Sequence, residues 1–352
     1  MVVEEYLRRV LEEGQAMVKE AQATMEAMME EDRAMRVRRR ELRLYTNNPS
    51  PRAMLPMGMP MGMGNGRTAG WGYGTKFNHP AKFENFAMED EKKEDIMKDL
   101  DRFSRGREYY RRIGKPWKRG YLLYGPPGTG KSTMIAAMAN YIGYDVYSLE
   151  LTTVSDNDAL KSLMENTPGK SIIVIEDIDC SSDITGHRDR EKNPPHEVSI
   201  QVHQVEPVTK TLSGLLNCVD GLFTADDGGR LIVFTTNNKE ALDPALVRTG
   251  RMDKHIELTY CGMEAFKILA KVYLRIEEHE LFGRIEELLN KCSITPADVG
   301  ETLLGRDGEA ENVGEEYYYL NKLIGVLEEK CEMIMTSSTR TGRGRGRRGN
   351  AV

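Results

Sequence analysis

The chain has 352 residues, of which 39% are hydrophobic and 30% charged, with a formal net charge of −6, so it is long enough for one large domain or two smaller ones. This acidic balance gives no overall reason to expect nucleic-acid binding. The sequence contains no run of about 18 apolar residues, so it predicts no membrane span. The cysteines form no C-x-x-C pair, which favours free thiols in a reducing, intracellular compartment; they are Cys180, Cys218, Cys261, Cys292 and Cys331.

Residues 1–48 are predicted to be an N-terminal helical segment. Up to about residue 45 the chain has no proline and a single glycine, Gly14, and it is rich in Glu, Ala, Met and Arg, which favour helix. Residues 49–76 follow as a predicted flexible linker, because Gly, Pro and Met occur there at a density that prevents regular structure.

Residues 77–260 alternate apolar strand patterns with helical patterns, which predicts a parallel sheet covered on both faces. The clearest predicted strands cover residues 120–124, 145–149, 171–175 and 231–235. Continuous apolar residues, as in 172–175, are typical of strands buried on both sides. The polar stretch between Ser181 and Pro207 contains three histidines whose spacing matches no metal site, so we interpret it as a surface loop.

The strongest local signal is the segment Gly-Pro-Pro-Gly-Thr-Gly-Lys-Ser, which fits G-x-x-x-x-G-K-[ST] between a predicted strand and a helix predicted over residues 133–141. Glycines let backbone N–H groups point inward around phosphates, and the helix N-terminus adds partial positive charge. Lys131 can reach the β- and γ-phosphates, and the Ser132 hydroxyl can bind Mg²⁺. The predicted nucleoside triphosphate loop consists of Gly125, Pro126, Pro127, Gly128, Thr129, Gly130, Lys131, Ser132 and Thr133.

Two further predicted strands end in polar residues. Glu176 and Asp177 follow the strand that ends at Ile175, and Asn237 follows the next clear strand. Alone, the two acids fit an ordinary solvated strand end equally well. Beside a phosphate loop, one acid is expected to hold Mg²⁺ together with Ser132 and the other to polarise the attacking water. We predict Glu176 in the first role and Asp177 in the second, with Asn237 orienting the water or contacting the γ-phosphate.

Two arginines, Arg248 and Arg251, stand three residues apart beside a glycine. From their spacing alone, surface charge is the better interpretation. The alternative is that they stabilise the negative charge that develops on a phosphate during transfer.

The last part of the chain has two predicted regions. Residues 261–335 contain helical patterns only, which predicts a small helical lid domain. Residues 336–352 form a predicted disordered tail in which arginines alternate with glycine.

Several segments together resemble the ATPase module of AAA+ proteins, over roughly residues 77 to 335. They are residues 125–133, 172–179, 236–237 and 243–253, in the order of that family. Residues 117–125, 176–179 and 250–257 further resemble one branch of it. That branch contains the mitochondrial chaperone that inserts the Rieske iron–sulfur protein into respiratory complex III, together with plant relatives.

The resemblance implies an α/β P-loop module, a parallel sheet between helices, followed by an all-helical lid. It implies that ATP and Mg²⁺ bind, that Lys131 and Ser132 handle phosphates and metal, and that Asn237 is the sensor. Arg248 and Arg251 would project into the ATP site of a neighbouring subunit in a homo-oligomeric ring, and the ring would act on a protein client. An association with mitochondria or another organelle membrane is likewise implied by the resemblance alone.

Three departures from the family pattern bear on function. Most members end the acidic strand Asp-Glu, whereas this chain has Glu176 and Asp177, and the shorter Asp changes the geometry of water activation. Residues 150–155 carry no aromatic beside glycine, so residue-by-residue gripping of an unfolded chain is not expected. The family's N-terminal membrane helix and most of its substrate-handling domain are absent from this sequence, and we interpret residues 1–48 as a remnant of that domain.

The function that we expect is Mg²⁺-dependent ATP hydrolysis by a protein-remodelling or translocating AAA+ ring. The alternative is a nucleotide-binding assembly scaffold with weak or no hydrolysis, motivated by the short Asp177 and the reduced N-terminal region. A small-molecule phosphotransferase would not need the paired acids, Asn237 and the two arginines. Nucleic-acid stimulation would rest on the arginines of the tail alone, and nucleic acid is not an expected partner.

Overall fold

A computed structural model of the chain describes residues 41–47, 70–154, 156–180, 228–248, 250–304 and 314–342, with the single positions 14, 17, 19 and 219. Most of the predicted N-terminal helical segment and linker lie outside the described residues, as do the polar loop from Ser181 to Pro207 and the last ten residues of the predicted tail.

The described elements follow one another along the chain as strands and helices of a layered α/β module and then as helices alone. They are β1 (Arg43–Thr46), β2 (Thr75–Lys76), α1 (Asp90–Ser104), α2 (Arg107–Arg112), β3 (Lys118–Tyr124), α3 (Lys131–Ile142), β4 (Asp145–Leu149), α4 (Asn157–Glu165), β5 (Ser171–Ile175), β6 (Arg230–Thr236), α5 (Pro244–Val247), β7 (Lys254–Glu257), α6 (Met263–Leu274), α7 (Phe282–Leu289), α8 (Pro296–Leu303) and α9 (Glu315–Gly342).

The strands form one sheet in the order β2-β1-β4-β5-β6-β3-β7. Every neighbouring pair is parallel except β1 and β2, which are antiparallel. The predicted α/β module with a mostly parallel sheet is therefore confirmed, with one antiparallel strand at its edge. The register places the ends of β3 and β6 side by side, with Tyr124 opposite Thr236, and the end of β5 beside them. These carboxyl ends form one edge of the sheet.

The two faces of the sheet carry separate hydrophobic cores because alternate side chains of each strand point in opposite directions. Tyr121 and Leu123 of β3 join a core with α1 and α3, whereas Leu122 joins a second core with α4. All three of these side chains are fully buried. Each buried leucine stabilises the fold by roughly 1.5–3 kcal/mol, so β3 is held firmly up to the residue where its loop begins.

The prediction that helix continues to about residue 45 is wrong for its last residues, because Arg43–Thr46 forms the strand β1, parallel to β4. The Tyr45 ring stacks on Tyr147 with ring centroids 4.5 Å apart, and burial against β4 outweighs local helix propensity. The linker predicted over residues 49–76 is also wrong at its end. The Trp71 indole N–H donates to Leu163 O at 2.9 Å, and β2 pairs with β1. Arg43–Thr46 and Thr75–Lys76 thus belong to the sheet.

Helices α6 to α9 enclose a third core of their own, which includes the fully buried Phe266, Ile285 and Leu323. This confirms the predicted helical lid. The tail predicted from residue 336 is wrong at its first residues, because α9 continues to Gly342. Once a helix is nucleated, each further residue adds one backbone hydrogen bond, so α9 can continue into residues whose composition predicts disorder.

Among the described residues, no helix combines the length and the apolar character that crossing a bilayer requires.

Candidate functional site

The loop between β3 and α3 has the backbone shape that its glycines predict. Gly125, Gly128 and Gly130 have φ angles of 142°, 80° and 96°, which side chains other than glycine rarely adopt. Gly130 is the N-cap of α3 and carries no side chain over its first turn. The Thr129 hydroxyl donates to Pro126 O at 2.8 Å and braces the loop from within. A phosphate can therefore approach the N-terminus of α3 without a steric barrier.

Lys131 is the first residue of α3, and its side chain reaches back to the start of this loop. Its ammonium group donates to Gly125 O at 2.8 Å, to Pro126 O at 3.1 Å and to Asn237 Oδ1 at 2.7 Å. Burial lowers the pKa of Lys131 below its ordinary value, and the negative charges of Asp177 and Asp179 oppose that shift. The lysine is thus surrounded by oxygen acceptors, which a phosphate could replace.

The predicted metal ligands lie next to each other. The Ser132 hydroxyl donates to Glu176 Oε1 at 3.2 Å, across 44 residues of sequence. Two oxygens at this separation can share one small cation, and both are of the type that Mg²⁺ prefers. The side chains present therefore fit a Mg²⁺ ion.

Asp177 has an unusual backbone. Its φ angle is 47°, in the left-handed region that Asp tolerates better than most residues, and its N–H donates to the buried Thr235 hydroxyl at 3.0 Å. Its side chain lines the cleft over the loop. The neighbouring Asn237 N–H donates to Asp179 Oδ1 at 3.4 Å. The ends of β5 and β6 are thus bonded to each other at the edge where the loop lies.

A cleft of about 560 Å³ opens above the loop. Its polar lining includes Lys131, Ser132, Asp177 and Asn237. The rest of the lining includes Asn85, Phe86, Ala87, Leu269, Val272, Tyr273, Pro296 and Ala297. This size and this combination of charged and mostly apolar lining fit a nucleotide whose phosphates bind at Lys131.

The lid contributes directly to this cleft. The Ala297 N–H donates to Gly128 O at 3.2 Å, and a methyl group on Gly128 would lie 3.1 Å from the Thr295 hydroxyl. The sequence did not predict the cleft-lining roles of Phe86, Leu269 and Tyr273, since no motif marks them. Their only sequence signal is apolar periodicity, which ordinary core residues share.

The two arginines lie elsewhere. Arg248 is exposed, Arg251 is only 8% exposed, and the Arg251 guanidinium donates to Ala245 O. Neither is among the described residues that line the cleft. They precede β7, whose first residue pairs with Tyr121 in the middle of β3, whereas the loop follows Tyr124 at the carboxyl end of β3. At about 3.3 Å per residue, this places them roughly 10 Å from the loop along the strand direction.

Comparisons with known proteins agree with this geometry. Residues 121–260 match the family described as "ATPase family associated with various cellular activities (AAA)", and residues 261–339 match the "At3g28540-like, AAA+ ATPase lid domain". Three similar relatives come from Arabidopsis thaliana. The chain is 48% identical to AAA-ATPase At3g28510 in an alignment 348 residues long, which covers 94% of this chain and 58% of the relative. It is 50% identical to AAA-ATPase At3g28600 over 305 residues, 86% of this chain and 61% of the relative.

It is also 50% identical to "AAA-ATPase ASD, mitochondrial" in an alignment 318 residues long, which covers 86% of this chain and 59% of that protein. The chain thus spans about three fifths of the length of the curated relatives that it matches. The two family matches adjoin at residue 260 and together cover well over half of the chain. With its phosphate loop, polar strand ends and helical lid, the chain belongs to the AAA+ ATPase family, as an AAA domain followed by an AAA+ lid domain.

Proposed function

We propose that this chain binds ATP together with Mg²⁺ and hydrolyses it. The observation that carries the proposal is the 2.7 Å contact between Lys131 Nζ and Asn237 Oδ1, with the neighbouring Ser132 hydroxyl bonded to Glu176. Lys131 and Ser132 begin α3, whereas Glu176 follows β5 and Asn237 follows β6, so these side chains meet only through the fold. An ATPase needs this combination of a phosphate cradle, a metal site and a polar strand end.

Each residue then has a separate role. Lys131 binds and orients the β- and γ-phosphates, and Ser132 with Glu176 would hold Mg²⁺, which when bound neutralises charge on those phosphates. Asp177 lines the cleft and accepts a proton from the attacking water, while Asn237 orients that water or the γ-phosphate. These groups are fixed before reaction, so little reorganisation is needed as negative charge develops.

The position of the arginines supports a ring in which subunits complete each other's sites. Arg248 is exposed and lies away from the cleft of its own chain, so the nucleotide that it contacts would be the one bound by a neighbouring subunit. In such a homo-oligomer, an arginine that approaches the transferred phosphate raises the rate by orders of magnitude. We propose that the ring remodels or moves a protein client.

Two substitutions test the hydrolysis proposal. Lys131→Ala removes the phosphate contact and Asp177→Asn removes the proton acceptor, while Asn still tolerates the left-handed backbone. We expect each to lower Mg²⁺-dependent phosphate release at least tenfold, with Asp177→Asn retaining affinity for a fluorescent ATP analogue. Wild-type turnover in both variants would show that the site is assigned wrongly.

A specific observation favours the alternative, a nucleotide-dependent assembly scaffold. Asp177 is one methylene shorter than Glu, which limits how far its carboxylate reaches from a backbone that is itself held at φ of 47°. Under this alternative, ATP drives assembly in sedimentation experiments without phosphate release. Asp177→Glu then increases turnover, whereas a hydrolysing wild type loses turnover when this residue is lengthened.

We further propose that the chain belongs to the branch that includes the complex III assembly chaperone. The support is the resemblance of residues 117–125 and 250–257, together with relatives of which one is named mitochondrial. Fractionation of cells that express the tagged chain tests a mitochondrial location. Crosslinking during ATP turnover, followed by mass spectrometry, tests for a protein client.

A further inference from the structure

The two arginines stand on one tight turn, residues 248–253, which we call the arginine turn. It is closed by backbone hydrogen bonds, from Arg251 N–H to Arg248 O at 3.2 Å and from Met252 N–H to the same oxygen at 3.3 Å. Gly250, at φ of 98°, allows the reversal. Any group that fixes this turn therefore fixes both arginines.

Asp253 bonds to the arginine turn and to β3 at the same time. Its Oδ1 accepts the Gly250 N–H at 3.1 Å, and its Oδ2 accepts the Gly120 N–H at 3.0 Å. Its own N–H donates to Gly120 O at 2.8 Å. One half-buried carboxylate thus joins the turn to the strand that continues into the phosphate loop.

Packing makes this connection rigid. A Cβ on Gly120 would lie 1.7 Å from Arg251 O, so the turn rests directly on the backbone of β3. Arg251 is buried and its guanidinium donates to Ala245 O, which ties the turn to α5 as well. Arg248, by contrast, is exposed. Arg251 therefore contacts its own chain, whereas Arg248 stands at the surface, where another subunit can approach it.

The support continues into the protein. Arg119, beside Gly120, is paired with Asp99 of α1 at 2.8 Å. Burial acts to lower the pKa of Arg119, but the carboxylates of Asp99 and Asp253 raise it above its ordinary value. Asp253 is thus part of a charge network anchored in the sheet and not a solvated surface acid.

We propose that Asp253 is a positioning residue. It holds the arginine turn against β3 and thereby fixes the position from which Arg248 contacts the nucleotide of a neighbouring subunit, and Arg251 helps to hold the same turn in place. The inference rests on the proposed function, in which the arginines act across a ring interface. It assigns the contact with the neighbour's phosphates to Arg248 and a role within its own chain to Arg251.

The first test is Asp253→Asn. An amide has one acceptor oxygen where the carboxylate supplies two, so one of the two bonds to backbone N–H groups must break. We expect kcat for ATP to fall about tenfold or more while KM and ring assembly stay close to wild type. The matched control is Asp145→Asn, at the start of β4, where the Arg43 N–H donates to Asp145 Oδ1 at 3.0 Å and an amide oxygen can keep that bond. Its kcat should not change.

Gly250→Ala gives a second route that leaves the core untouched. Nothing lies within 4 Å of a Cβ at this position, but its φ of 98° strains any side-chain residue, so the turn reshapes while the packing stays intact. We expect the same loss of kcat as in Asp253→Asn. Wild-type kcat in both variants would overturn the proposal.

Mixed rings then separate positioning from a merely structural role. Asp253→Asn subunits keep an intact phosphate loop, and Lys131→Ala subunits keep an intact arginine turn. A mixture of the two variants should therefore hydrolyse ATP faster than either variant by itself. A mixture of Arg248→Ala and Lys131→Ala subunits should show the same recovery. If only the Arg248 mixture recovers activity, the role of Asp253 is refuted and the ring proposal stands. If neither recovers, action across the interface is refuted, and this inference with it.

Discussion

The Lys131 ammonium group donates to Asn237 Oδ1 at 2.7 Å although the two residues are 106 positions apart. The contact exists because β3 and β6 are neighbours in the sheet and end together, with Tyr124 opposite Thr236. A phosphate that binds Lys131 therefore arrives next to Asn237. This adjacency makes the amide suited to register whether the γ-phosphate is present.

Replacing Asn237 by Ala should lower kcat for ATP by roughly 100-fold or more, the usual effect of removing one oriented polar group from a reacting centre. Binding of a fluorescent ATP analogue should change much less, because Lys131 keeps its contact with the phosphates. Asn238→Ala is the matched control, since Asn238 is not among the described residues that line the cleft. Equal loss in both variants would contradict the sensor role.

Gly128→Ala should weaken nucleotide binding by about tenfold. The substitution adds strain at φ of 80°, roughly 1–2 kcal/mol, and brings a methyl group to 3.1 Å from the Thr295 hydroxyl of the lid. Gly114→Ala carries similar strain at φ of 64° with nothing within 4 Å. Titration with a fluorescent ATP analogue distinguishes them. If Gly114→Ala weakens binding equally, general destabilisation and not the loop–lid contact is responsible.

Asp99 and Tyr121 offer a paired test of stability. Asp99 is 8% exposed and accepts from the Arg119 guanidinium at 2.8 Å and from the Tyr121 hydroxyl at 2.5 Å. Asp99→Asn removes the carboxylate that pairs directly with Arg119 and should lower the free energy of unfolding by roughly 2 kcal/mol, as expected for lost hydrogen bonds to a charged group. Tyr121→Phe removes one hydrogen bond and should lower it by about 1 kcal/mol. Denaturant titration measures both, and the reverse order would contradict this account.

The lid should lose stability at alkaline pH through Cys261. Burial raises the pKa of this thiol from its ordinary value of 9.0 to about 12. Between these values the folded state binds more protons than the unfolded state, so the stabilisation is fully present below pH 9 and is lost as pH rises towards 12. The slope approaches about 1.4 kcal/mol per pH unit. Unfolding of wild type and Cys261→Ala from pH 8 to 11 should diverge by this slope, and parallel curves would contradict it.

Much of the fold was predictable because its signals are local. The strands β4 and β5 begin and end at the predicted residues, and β3 and β6 extend one or two residues beyond them. By contrast, β1 was predicted as helix. Its four residues are stabilised by pairing with Val146 to Ser148, about 100 positions away, and no local pattern carries that information.

By itself the sequence determined the phosphate loop, the acids after β5 and the polar end of β6, because a glycine-rich turn between an apolar strand and a helix has few physical alternatives. Only the tertiary structure decided which residues meet. It placed Asn237 against Lys131, brought the apolar residues of the lid over the loop, and separated the exposed Arg248 from the buried Arg251. These relationships depend on strand order and on backbone contacts such as that of Gly120 with the arginine turn. Such contacts between distant parts of the chain follow from packing and not from local sequence preference.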